Sequence, residues 1–213
     1  MSPLRQTYYD IFSKVYDLVI RLHSRDMEGS LRGFIAGEAN LSKGDRVLDL
    51  CTGTGSVAIE LAKQVGENGL VVGLDFSQGM LMKAKEKANR LNMDRFYLVH
   101  ANASQLPFKN SSFHGVTCSH AFYELREEER KRAINEVARI LVTGGRFCLM
   151  EHAKPEKLFP RFLFYIRILL LGSKDVRKFL REEGSISGEK FKNITKVMTR
   201  TGRSKLIYGE KGG

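Results

Sequence analysis

Between residues 46 and 150, short apolar runs alternate with longer amphipathic ones, and this alternation constrains the fold more than any other feature of the chain. "RVLDL" (46–50), "LVVGLD" (70–75), "FYLVH" (96–100), "SFHGVTCSH" (112–120) and "RFCLMEH" (146–152) read as strands. "SVAIELAKQVG" (56–66) reads as a helix, and so does "QGMLMKAKEKANRLN" (78–92), which places Met80, Leu81, Ala84 and Ala88 on one face. A charged segment over 126–141 predicts a third helix, ending at Gly144 and Gly145. Strands that alternate with helices require right-handed crossovers and a parallel sheet covered on both faces. The expected class is doubly wound α/β.

The flanks add to this core. Residues 4–41 predict two helices joined near 23–27, placed to lid a site at the carboxyl edge of the sheet. "KNITKVMTR" and "RSKLIYGEK" predict two further strands around Gly202, an antiparallel closing hairpin that brings the sheet to seven strands. A chain of 213 residues can bury a full core as a single domain, here divided into lid helices (1–42), core (43–153) and a substrate-side helix with its hairpin (154–213). Cys51, Cys118 and Cys148 are odd in number and widely spaced, which predicts free thiols in a reducing, cytoplasmic setting. No signal-peptide pattern opens the chain.

The turn after the first strand carries the chemistry. In "DLCTGTGSVA" (49–58), Gly53, Gly55 and Ala58 satisfy a G-x-G-x-x-G/A fingerprint, and Asp75, twenty residues beyond Gly55, stands where a carboxylate can accept ribose hydroxyls. That much fits any adenosine ligand. Asp49 narrows the choice, because a dinucleotide would bring a pyrophosphate to this turn, and two like charges about 4 Å apart at an effective dielectric near 20 cost about 4 kcal/mol. A ligand carrying an ammonium and a sulfonium would be attracted instead. The alternative reading has Asp49 merely capping the turn or accepting backbone N–H groups.

"VLDLCTGTG", "GLDFSQGML", "ANASQLPF", "SFHGVTCS" and "ARILVTGGRFCLMEH", in this order and spacing, resemble the successive motifs of class I S-adenosylmethionine-dependent methyltransferases. The likeness is closest to the ubiquinone/menaquinone biosynthesis C-methyltransferases, and covers residues 8–155, including "FSKVYD" and "EHAKP". It implies a Rossmann-like methyltransferase that binds S-adenosylmethionine and releases S-adenosylhomocysteine. Carried over by position, it implies that Gly53, Thr54 and Gly55 line the methionine moiety, that Asp75, with Phe76 beside it, binds the ribose, and that Asn102 and Ala103 meet the adenine. Ser119 would face the reactive end of the donor, and Tyr16 the sulfonium from the lid. The Asn102 amide oxygen would accept from the adenine amino group, unless Asn102 only forms a turn. His114 stands in place of an Asp and Thr143 in place of a Pro; beyond Pro155 the chain leaves the quinone family's substrate segment.

Methyl transfer from a sulfonium expels a neutral thioether, so positioning and exclusion of water do most of the work. A base is needed only where the acceptor must lose a proton. Candidates at strand ends are His120, Tyr123 and Glu151, with Glu124 and His152 beside them. Tyr8, Tyr9 and Tyr16 could wall the sulfonium by cation-π contact or serve in helix packing. The five histidines show no metal-ligand spacing, so no metal is expected.

The net charge is +11, and eight of these charges arise from residue 151 onward, with 15 Lys or Arg against 7 Asp or Glu. Within 154–184, Arg167, Lys174, Lys178 and Arg181 would form one helical stripe and Phe and Leu the remainder, a pattern for an anionic membrane interface through 154–181 or for covering an apolar channel. Its apolar stretch is too short and too interrupted to span a bilayer. The expected acceptor is lipophilic, a quinone precursor ring or a phospholipid amine; RNA and a non-catalytic donor-binding module are the alternatives, and nucleic acid ranks lower because no N-P-P-Y or Pro-Cys motif is present.

Overall fold

A computed structural model describes residue 10, residues 30–153, residues 189–200, residue 202 and residues 204–213. Seven strands form one sheet: β1 (Arg46–Leu50), β2 (Leu70–Asp75), β3 (Phe96–His100), β4 (Phe113–Ser119), β5 (Leu141–His152), β6 (Phe191–Met198) and β7 (Ser204–Lys211), in the spatial order β3-β2-β1-β4-β5-β7-β6. Strands β1 to β5 run parallel, while β7 pairs antiparallel with β5 and β6 antiparallel with β7. The order reverses between β1 and β4, which opens a crevice outside their carboxyl ends. The expected doubly wound sheet and its closing hairpin are both present. Of the two lid helices predicted over residues 4–41, residues 4–9 and 11–29 lie outside the described residues, as does the basic segment 154–181; residues 30–38 are helical but pack in the core on one face of the sheet, not as a lid at its carboxyl edge.

Four α-helices among the described residues cover this sheet: α1 (Ser30–Glu38), α2 (Ser56–Val65), α3 (Gln78–Arg90) and α4 (Glu127–Ile140), with a short 3-10 helix over Phe122–Glu124. The apolar stripe of α2, Val57, Ala58, Leu61 and Val65, repeats at helical spacing and is buried. It packs with α1 in a core on one face, while Phe113, Phe122, Ile134, Val137 and Phe147 fill the other. The buried stripe of α3 is Met80, Leu81, Ala84 and Ala88, as its sequence predicts. Its first turn is closed by Ser77, whose hydroxyl accepts from the Met80 amide at 3.2 Å. Three glutamates open α4, where they complement the helix dipole.

One boundary differs from expectation. Helix α4 stops at Ile140 and β5 begins at once with Leu141, so Gly144 and Gly145 lie inside a strand instead of ending a helix. The pairing with β4 shifts there, from Phe113 opposite Leu141 to Gly115 opposite Arg146, which marks a bulge. A side chain at Gly145 would meet the His114 and Val142 carbonyls at 2.9 Å, and Gly144 has φ +77°. The paired glycines serve that bulge.

Candidate cofactor and acceptor site

The turn leaving β1 alternates left-handed residues: Cys51 has φ 56°, Gly53 55° and Gly55 77°. The two glycines have different reasons to be there. A methyl group on Gly55 would press on Ala84 at 3.0 Å and on Phe96 at 3.4 Å, so that glycine admits α3 against the turn. A methyl group on Gly53 would meet nothing within 4 Å, so Gly53 lies on the open side, where a ligand can approach the backbone. Thr54 is buried and turns its hydroxyl to the Lys87 ammonium at 2.8 Å.

Two carboxyl groups flank the open side. Asp49 is buried, its Oδ2 accepting from the Thr52 hydroxyl at 2.6 Å and its Oδ1 from the Thr117 hydroxyl at 2.8 Å. Asp75 is buried too, accepting from the Gly53 amide at 2.8 Å and the Ser77 amide at 2.9 Å. Burial pushes each up to about 6 despite these hydrogen bonds, and the Asp75 charge raises Asp49 further. Two carboxylates held out of water beside one turn gain from an approaching cation and oppose a polyphosphate, so the donor set fits S-adenosylmethionine. Asp49 ties the turn internally through both of its oxygens, the capping role that the sequence offered as the alternative reading.

The adenine side departs from expectation. The Asn102 amide oxygen accepts from the Ser104 amide and hydroxyl, both at 3.0 Å, so it holds a turn. That leaves its NH2 group, a donor, for the expected ligand. Ala103 is buried beside it, and the Phe76 carbonyl accepts from the His100 ring at 2.8 Å. Tyr16, Tyr8 and Tyr9 lie outside the described residues. Asp10 does not: its Oδ1 accepts from the Ser77 hydroxyl at 2.6 Å and the Gly79 amide at 2.9 Å, at the start of α3 just after Asp75.

Across the crevice, the ends of β4, β5 and β7 meet. His120 follows β4 with φ 52°, a conformation uncommon outside glycine. Its amide donates to the Met150 carbonyl at 2.7 Å, its Nδ1 is 3.0 Å from the Ser119 hydroxyl, and its Nε2 is 2.9 Å from the Ser204 hydroxyl. The His152 ring lies 4.5 Å from the His120 ring, and Tyr123 5.7 Å from His152. Glu151 is buried, with Oε1 accepting from the Tyr123 amide at 3.1 Å and Oε2 without a hydrogen-bond partner among the described residues. Burial pushes it up to about 8. Burial therefore favours its neutral form, which can donate a hydrogen bond.

Sequence reading missed Thr52, Thr117, Asp10 and Ser204. Thr52, three residues after Asp49 in the same turn, was within reach of a local argument. Thr117 needed the β1–β4 register, in which it pairs with Asp49, and Ser204 needed the β5–β7 register, in which it pairs with His152. His114 is far from this chemistry: its Nδ1 accepts from the Arg46 amide at 3.0 Å at the opposite edge of the sheet.

A profile of the ubiE/COQ5 methyltransferase family matches residues 4–170, running past Pro155, where the sequence was expected to leave the family's pattern. The demethylmenaquinone methyltransferase of Oceanobacillus iheyensis is 31% identical over 169 residues, covering 78% of this chain and 70% of that protein. The chain belongs to the ubiE/COQ5 methyltransferase family. A demethylmenaquinone methyltransferase of Bacillus cereus is 30% identical over 167 residues, covering 76% of this chain and 70% of its own. Among solved structures, a Haloferax volcanii putative methyltransferase complex with the Trm112 activator has a TM-score of 0.71 at 19% identity, over 96% of this chain and 98% of that one. An Aquifex aeolicus SAM-dependent methyltransferase has a TM-score of 0.62 at 20% identity, over 84% and 88%. This family member is an S-adenosylmethionine-dependent methyltransferase.

Proposed function

We propose that this methyltransferase transfers the methyl group to a ring carbon of a lipophilic hydroquinone-type acceptor. What carries the reading is the 30–31% identity to demethylmenaquinone methyltransferases over 169 and 167 residues. When bound, the donor supplies a methyl group on a sulfonium whose leaving thioether is neutral.

The chain's own residues then divide the labour. Asp49 lends negative charge to the donor's cationic end, Asp75 and Phe76 hold the ribose, Asn102 and Ala103 the adenine, and the open face of Gly53 admits the methionine moiety beside Thr54 and Gly55. Ser119 borders the methyl. Asp10, docked on Ser77 and Gly79, borders the donor side. His120, Tyr123 and Glu151 wall the acceptor, Glu151 as a hydrogen-bond donor to an acceptor oxygen. Residues 154–181, rich in Phe, Leu, Lys and Arg, bring the enzyme to the anionic surface in which such an acceptor dissolves.

Transfer of tritiated methyl to total lipid, RNA and soluble metabolite pools tests the acceptor class. Label in a lipid-extractable quinone supports the reading; label confined to RNA or to phospholipid headgroups overturns it. Co-sedimentation with liposomes that ignores anionic lipid and charge reversal at Arg167 and Lys174 would remove the membrane contact.

A further inference from the structure

We infer that Ser119, His120 and Ser204 form a proton-accepting relay, in which His120 ionises an acceptor hydroxyl through Ser119 while Ser204 holds its ring in register. The inference rests on the functional reading above, in which Ser119 borders the reactive end of the donor. It assigns a positioning role to a residue of the closing hairpin, 84 positions from His120.

The geometry is that of an imidazole held at both nitrogens by hydroxyl groups, at 3.0 Å and 2.9 Å. A hydroxyl both donates and accepts, so the same two contacts suit neutral imidazole and imidazolium. In the neutral ring Ser119 donates to Nδ1 and Nε2–H donates to Ser204; in the cation both ring N–H groups donate. No side chain has to move as the proton arrives. Such preorganisation is what a relay requires, and the left-handed backbone at His120 is the conformational cost of setting the ring across the ends of β4 and β7. Ser204 is itself fixed, buried with its backbone bonded to Thr199.

The balance is one proton. The acceptor O–H proton passes to Ser119 Oγ as the Ser119 proton passes to Nδ1, leaving an oxyanion conjugated to the nucleophilic ring carbon. That carbon forms its bond to the methyl as the sulfur–methyl bond breaks, the electron pair staying on sulfur as a neutral thioether. The ring C–H proton then returns to the oxygen, restoring the aromatic ring, and the His120 imidazolium releases its proton to water at this half-buried corner. Among the described residues, the titratable and charged groups on the elements that meet there are His152, whose ring lies against that of His120, Tyr123, which lies against His152, Glu124 next to Tyr123, and Glu151 and Lys205, which stand next to His152 and Ser204 on the paired strands.

His120→Asn is the decisive variant, because Asn tolerates a positive φ and preserves the backbone. With a 1,4-dihydroxynaphthalene bearing a short prenyl chain as probe, kcat is expected to fall about 100-fold or more, with donor affinity and melting temperature unchanged. The acidic limb of the kcat/KM profile should vanish. Ser119→Ala should match it, and Ser204→Ala should lower kcat about 10-fold with KM unchanged, Ser204→Thr restoring it. An unaltered acidic limb in His120→Asn overturns the relay alone, as does loss of that limb in His152→Gln but not in His120→Asn. Absence of wild-type transfer to this probe and to every cellular pool removes the functional reading and the relay together.

Discussion

The two sides of the crevice are built on opposite principles. On the donor side, Asp49 and Asp75 are held within one short turn and its neighbouring strand, by hydroxyls and amides close to them in the sheet. On the side proposed for the acceptor, His120 just after β4, Glu151 and His152 of β5 and Ser204 of β7 lie up to 84 positions apart, and the contacts are tilted and edge-on rings and a histidine in a left-handed backbone. The first is built mainly from one turn and the strand beside it, with Thr117 added through the β1–β4 register. The second is assembled by tertiary register throughout.

The largest effect expected from breaking this contrast is at Asp75. Asp75→Ala removes the carboxylate proposed to hold the ribose and strands the Gly53 and Ser77 amides, each worth about 1–3 kcal/mol when left unsatisfied, so titration calorimetry should show donor affinity lowered at least ~100-fold. Next come the two glycines, which should separate binding from folding. Gly53→Ala should weaken donor binding by ~10-fold or more while costing about 1 kcal/mol of stability, since its open side faces the ligand and only its φ is strained. Gly55→Ala should cost about 2 kcal/mol or more in thermal melts through contact with Ala84.

Protonation sharpens the same comparison. Asp49 and Asp75 ionise near 6 in the free protein, and a bound cation favours the ionised form, so donor affinity should fall as pH drops from 7 to 5, by at most about 10-fold per unit for each linked proton. Asp49→Asn should flatten that dependence. Glu151, raised to about 8, gives the smallest effect. Its folded form binds a proton more tightly than its unfolded form, so its destabilising contribution is absent below about 4.3 and grows with pH up to about 8. Glu151→Gln should therefore melt higher than the wild type at pH 8 and level with it at pH 4.

Legibility followed the same division. Periodicity located all seven strands and the buried faces of α2 and α3, because those signals live within a dozen residues. It misplaced the start of β5, since a helix stop and a β-bulge both call for paired glycines, and only the pairing with β4 distinguishes them. Asp49 and Asp75 were legible as charges beside a turn. Their protonation was not, because it depends on burial. The Asn102 oxygen was assigned to the adenine although Ser104, two residues away, already occupies it. The His120–Ser204 pairing had no local signal at all.

The central claim is methyl transfer from S-adenosylmethionine to a ring carbon of a hydroquinone. Mass spectrometry and NMR of the product formed from the prenylated dihydroxynaphthalene and a 13C-methyl donor test it most directly. A new 13C-methyl signal at an aromatic ring carbon, with both hydroxyls retained, is the predicted result. A methoxy signal, or label found only on nitrogen or in RNA when cell extracts are offered, would contradict it.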